Sequence, residues 1–156
     1  MTSIKRILLV EDSLRDAELI LDALQSHPLA IEIVHVRDGA EALDYLYRRG
    51  PFAGRTDDQP ALLLLDLKLP KVDGLEVLRQ IKRDAELKVL PVVMMTSSRR
   101  EQDLLTSYEL GVNAYVVKPM KFEDFIEAVK QVRAFWAVIN EIPAPRRRVD
   151  PGAVDP

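Results

Sequence analysis

Residues 61–70 read ALLLLDLKLP: five apolar residues in a row, closed by one carboxylate, Asp66. An unbroken apolar run of this length suits a strand covered on both faces, as in a parallel sheet with helices on either side. A carboxylate withdrawn from water is costly unless it is paired, bound to metal or neutralised. The run therefore sets an expectation about the fold and a question about the chemistry of Asp66.

Four further β-like runs recur, KRILLV (5–10), IEIVHV (31–36), PVVMM (91–95) and AYVV (114–117), and several of the five are apolar on consecutive positions. Helical spacing fills the gaps. Leu14, Ala17, Leu21 and Leu24 form one apolar stripe, and Leu75, Leu78 and Ile81 form another. A last helix carries Phe125, Val129, Val132, Trp136 and Ile139. The pairs Ser13–Asp16, Asp38–Glu41, Asp73–Glu76 and Ser98–Glu101 have the spacing of a helix-start capping box or a near variant.

Strand–helix alternation repeated five times predicts an α/β domain with a five-stranded, doubly wound parallel sheet. The flavodoxin-like strand order 2-1-3-4-5 is the common solution at this size. Residues 1–140 make one domain on this reading. Residues 48–60 form a surface loop before the third strand, and the Pro-rich stretch 141–156 forms a flexible tail.

Composition narrows the function. A net charge of −3 argues against nucleic acid as the main partner, because phosphate binding wants a basic surface. Arg146 to Arg148 are read as part of a solvated linker. The absence of cysteine excludes disulfides, thiolate zinc sites and a cysteine nucleophile. The opening MTSIKRILLVEDS meets acids too soon to be a signal peptide or a membrane span, so the expected location is the cytoplasm, with no membrane partner.

Ligand sites in open α/β sheets lie at the carboxyl ends of the strands. Here those ends carry Glu11 and Asp12, then Asp66, Thr96 and Lys118. Each has a plain structural reading: an acid pair beside a helix N-terminus, a threonine closing a strand, a Lys-Pro turn. Their coincidence at corresponding ends of different strands favours a site. Carboxylates about 4 Å apart cost on the order of 4 kcal/mol per ionised pair at an effective dielectric of ~20. A raised pKa, a lysine or a divalent cation has to offset that repulsion. Hard oxygen donors suit Mg²⁺ or Mn²⁺. With Lys118 as a point charge and Thr96 as a hydroxyl, the set fits a phosphoryl group in transfer.

ILLVEDS, LLLLDLKLP, VVMMTSS and NAYVVKP resemble the signature segments of the receiver domain of bacterial two-component response regulators, over residues 4–139. The resemblance implies that Asp66 accepts a phosphoryl group from a sensor histidine kinase. Asp12 would bind Mg²⁺ directly and Glu11 mainly through water, with the Lys68 backbone carbonyl as a further ligand. Lys118 would pair with the phosphoryl oxygens, and Pro119 would follow it in a cis peptide. Thr96 would bond the arriving group, and Tyr115 would swing inward as the second half of a switch. Two rivals fit less well: acids follow the first strand where a flavodoxin cradles phosphate, and Lys68 stands where a haloacid dehalogenase wants its second aspartate. A receiver-like binding module that is never phosphorylated is the third alternative.

No effector domain is expected beyond the fifth helix, so the expected output is a conformational change of the chain's own surface. The loop at 48–60, GVNAYVVKP and the late Phe135–Trp136 pair are similar to single-domain regulators paired with bacterial phytochrome kinases. A histidine phosphotransfer protein is a further partner class, in which case the chain would be a relay or a phosphate sink. Val132, Phe135, Trp136 and Ile139 cover more than one helical face, which suggests a homodimer; the alternative is that the tail folds back over them.

Overall fold

The computed structural model describes residues 5–26 and 31–143, the side chain of residue 138 excepted. The Pro-rich tail therefore lies outside the described residues from 144 onward, Arg146 to Arg148 included.

Five parallel strands form one sheet: β1 (Lys5–Val10), β2 (Ile31–Val36), β3 (Leu62–Leu65), β4 (Val92–Thr96) and β5 (Ala114–Val117). Their order is β2-β1-β3-β4-β5, the flavodoxin-like order expected as the common solution for a domain of this size. Five α-helices follow the strands: α1 (Leu14–Gln25), α2 (Gly39–Tyr47), α3 (Gly74–Arg83), α4 (Glu101–Glu109) and α5 (Phe122–Val132). No helix among the described residues is long and apolar enough to cross a membrane.

The apolar runs are continuous because both faces of the strands are buried. Leu62 and Leu64 of β3 point into one core with Ile7, Leu9, α1 and α5. Leu63 and Leu65 point into the other with Leu8, Val10, α2 and α3. All four leucines are within 1% of complete burial, so β3 is the centre of the molecule and Asp66 lies at the end of its innermost strand.

Local signals set the helix starts. Ser13, Asp38 and Asp73 accept hydrogen bonds from the backbone N–H of Asp16, Glu41 and Glu76 at 3.3, 2.8 and 2.9 Å. Ser98 does not cap α4. Its hydroxyl donates to Asp103 at 2.6 Å instead, and the helix starts after Arg100 without a side-chain cap. Gly74 is required at the start of α3, since a Cβ there would stand 2.1 Å from the Asp66 carbonyl oxygen.

Two apolar positions differ from the sequence expectation. Leu14, in the first turn of α1, is 57% exposed; Ala17, Ile20, Ala23 and Leu24 make the buried face. Val132 is only 8% exposed and packs in the core with Phe125 and Val129, so it is not available to a partner. Beyond it the chain continues as a π-helical segment, Arg133–Ile139. There Phe135 and Ile139 are exposed by 48% and 67%, while Trp136 leans on the core and meets Phe135 edge to face. Arg133 turns inward, and its guanidinium donates to the Ala23 carbonyl at 2.6 Å and to Ser26 Oγ at 3.0 Å, closing the C-terminal end of α1.

The loop at 48–60 is tied down. It holds a 3₁₀ turn over Gly50–Phe52, and Arg55 lies 3.9 Å from the centre of the Tyr45 ring while donating to the carbonyl oxygens of Tyr45 and Asp58.

Candidate functional site

The carboxyl ends of β1, β3, β4 and β5 converge as the sequence predicted. Pairing of β1 with β3 sets Val10 beside Leu65, so Glu11 and Asp12 emerge next to Asp66. Glu11, Asp12 and Asp66 each offer a carboxylate oxygen within 4.8 Å of the others. Glu11 and Asp66 are buried, and Asp12 is exposed at the rim. Three hard oxygen donors this close, one of them open to water, fit an octahedral divalent cation such as Mg²⁺ or Mn²⁺ that keeps several waters. Lys68 follows on the loop after β3 and lines, with Asp12, Asp73 and Asp103, an open groove of about 490 Å³.

Lys118, just past β5, supplies the positive charge. Its Nζ stands 2.9 Å from Glu11 Oε2, 2.9 Å from Asp66 Oδ2 and 2.9 Å from Asp16 Oδ2. The other oxygens are held by backbone: Ser13 N–H donates to Glu11 Oε1 at 3.1 Å, and Leu67 N–H donates to Asp66 Oδ1 at 2.7 Å. Thr96 is buried on the neighbouring strand, where its carbonyl accepts from Lys118 N–H at 2.8 Å and its hydroxyl accepts from Ser98 N–H at 3.3 Å.

Electrostatics follow from burial and crowding. The Glu11 carboxyl is pushed up to about 8, first by burial and then by Asp66 beside it, against the pull of Lys118. Burial by itself would lower the Lys118 ammonium, but its hydrogen bond to Asp16 and the charges of Asp66 and Glu11 outweigh that and raise it. Lys118 is therefore a permanent cation here.

The peptide ahead of Pro119 departs from what the resemblance implies. The described residues contain no cis peptide bond, so Lys118–Pro119 is trans. Trans is the favoured X–Pro form by about 0.5–1 kcal/mol, and from it Lys118 still reaches all three carboxylates. Tyr115 is partly buried, with its hydroxyl donating to the Ser98 carbonyl at 3.1 Å, on the loop that follows Thr96.

Two residues at the site were not singled out from sequence. Asp16 reads as a capping acid, and its N–H does bond Ser13, yet its side chain reaches across to Lys118. Its place in the first turn of α1 explains the cap, and nothing in the local sequence announces the bond to Lys118. His35 reads as one more strand residue, but its Nε2–H donates to the Glu11 carbonyl at 2.8 Å and fixes the turn that carries both β1 acids. No local pattern announces it.

Comparison with known proteins places these features in context. Residues 7–130 match the response regulator receiver domain. Response regulator Rcp1 of Synechocystis sp. is 41% identical over 140 residues, covering 90% of this chain and 94% of Rcp1. The Mn(2+)-bound form of Rcp1 superposes with a TM-score of 0.86, over 90% of this chain and 99% of that one. A phosphorylated cyanobacterial phytochrome response regulator, RcpA, gives 0.87 at 42% identity, over 91% and 100% of the two chains. The bacteriophytochrome response regulator AtBRR is 57% identical, with a TM-score of 0.71 over 89% and 99%.

Proposed function

The chain belongs to the response regulator receiver family, and from that premise we propose that Asp66 is its phosphoacceptor, charged by a sensor histidine kinase in a reaction that needs Mg²⁺. Receiver domains of this family work with histidine kinases and bind a divalent cation. The observation that carries the reading is the setting of Asp66: a buried carboxylate with Lys118 Nζ 2.9 Å from one oxygen and two further acids within ligand distance of each other.

An Asp66 carboxylate oxygen attacks phosphorus, forming a P–O bond as the P–N bond of a phosphohistidine breaks. The bonding pair stays with the imidazole nitrogen. Glu11, Asp12, Asp66 and the Lys68 carbonyl would hold the cation, which would supply the positive charge that lets a phosphoryl dianion approach these acids. Lys118 neutralises a phosphoryl oxygen, and Thr96 donates its hydroxyl to another. The chain is thus a catalyst only of its own phosphorylation and dephosphorylation.

Signalling then follows by population shift. Drawing the Thr96 hydroxyl toward the phosphoryl group shifts the Thr96–Ser98 loop, which Tyr115 grips through the Ser98 carbonyl, and so biases α4 and β5 toward a second arrangement. Similarity to phytochrome-associated regulators supports a bacteriophytochrome as the kinase, met in the cytoplasm. Exposed Phe135 and Ile139 support a homodimer built on the C-terminal helical segment, with Trp136 as its backing.

The test is intact-protein mass after incubation with acetyl phosphate, with and without Mg²⁺, on wild type and Asp66→Asn. One Mg²⁺-dependent phosphoryl adduct, absent from Asp66→Asn, is the expected result. An adduct that persists in the variant overturns the assignment of Asp66. No adduct at all, together with no binding of a stable phosphoryl mimic, leaves a binding module that is not phosphorylated.

A further inference from the structure

An ammonium has three N–H bonds, and on Lys118 all three are taken, by Glu11, Asp16 and Asp66, each at 2.9 Å. A phosphoryl group bound to Asp66 brings oxygens that compete for the same protons. Asp66 loses its own carboxylate charge in taking that group, so the side chains left to compete with it for the ammonium are Glu11 and Asp16.

They are not equally placed to let go. Glu11 is fixed at both oxygens, the second accepting from the backbone N–H of Ser13. Its side chain is almost fully buried. Among the described residues the Asp16 carboxylate has Lys118 as its partner, and its side chain is 24% exposed on the first turn of α1. Water and the positive end of the helix can receive it when it is released. Its charge also opposes the incoming group, because Asp16 Oδ2 and Asp66 Oδ2 are 2.9 Å from one nitrogen and so no farther apart than twice that distance.

We propose that Asp16 is a positioning residue that competes with the phosphoryl group for Lys118: it holds the ammonium in the resting protein and surrenders it on phosphorylation, which restrains phosphoryl capture. Lys118 stays protonated throughout, and no proton changes hands; one carboxylate acceptor is exchanged for a phosphoryl oxygen. The inference rests on Asp66 being the phosphoacceptor.

Fluoroberyllate, a tetrahedral stand-in for the phosphoryl group, tests it. Its affinity at saturating Mg²⁺ and the Mg²⁺ affinity without it are measured by NMR titration on wild type, Asp16→Asn, Asp16→Ala and Asp16→Glu. The expected result is fluoroberyllate binding roughly three- to ten-fold tighter in the Asn and Ala variants, with Asp16→Glu near wild type and Mg²⁺ affinity unchanged or slightly weaker. A residue that merely supported the fold would not improve binding of the anion when removed. Equal or weaker fluoroberyllate binding in both Asn and Ala variants, with wild type binding normally, overturns the role of Asp16 and leaves Asp66 in place. Wild type that binds no fluoroberyllate overturns both.

Discussion

Glu11 shows how one side chain makes the site depend on pH. Its carboxyl titrates near about 8 in the folded chain and near 4.5 when exposed, chiefly because burial penalises the charge and then because Asp66 stands beside it. A group raised in this way favours the folded state fully below 4.5 and loses that contribution as pH climbs toward about 8. The metal-free protein is therefore expected to lose stability across that window, and a divalent cation to restore it. The rise in Tm on adding Mg²⁺ should be larger at about pH 8.5 than at about pH 6, since binding must displace a proton at the lower pH. A Tm increment independent of pH would show that Glu11 is already ionised without metal. Glu11, Asp12, Asp66, Thr96 and Lys118 were all legible in sequence, because each ends a strand and strand ends are written locally. Asp16 was legible only as a cap. Its bond to Lys118 joins residues 102 apart, and that meeting depends on how α1 and β5 are packed.

Among the elements, α4 is held least firmly. Ser107 is its one fully buried residue, whereas Leu104, Leu105 and Tyr108 are between 40% and 53% exposed. By contrast α3 buries Val77, Leu78 and Ile81 completely. Local opening follows the number of buried apolar contacts, so backbone amides of α4 should exchange with deuterium well before those of α3. Exchange at α3 as fast as at α4 would contradict this and remove α4 as the mobile half of the switch. The start of α4 was also the one helix start misread from sequence. In three acceptor-x-x-acid pairs an oxygen of the first side chain meets the backbone N–H three residues on; Ser98 bonds Asp103 instead, within hydrogen-bond reach once the loop has turned. The strands were legible for the opposite reason, since burial on both faces leaves an unbroken apolar run that no loop imitates.

The molecule as a whole has two cores, one on each side of a single sheet, and its C-terminal helical segment serves one core while facing solvent with the rest. Helical spacing recognised that segment but could not assign its faces, which is why Val132 read as surface and is core. What remains outside is Phe135 and Ile139. If these form the dimer, wild type at about 20 µM sediments as a dimer and Phe135→Ser/Ile139→Ser as a monomer with an unchanged circular dichroism spectrum, the loss of two large apolar anchors being enough to abolish a modest interface. A monomeric wild type would end that proposal. Arg133 carries a different consequence, in the order of synthesis. It closes the end of α1, yet it lies 110 residues downstream of Ala23, whose carbonyl it binds. At roughly 5–20 residues per second, the ribosome delivers that cap on the order of ten seconds after the helix it completes. Every strand of the sheet has by then been made, so the first helix of the nascent chain is among the last to be finished.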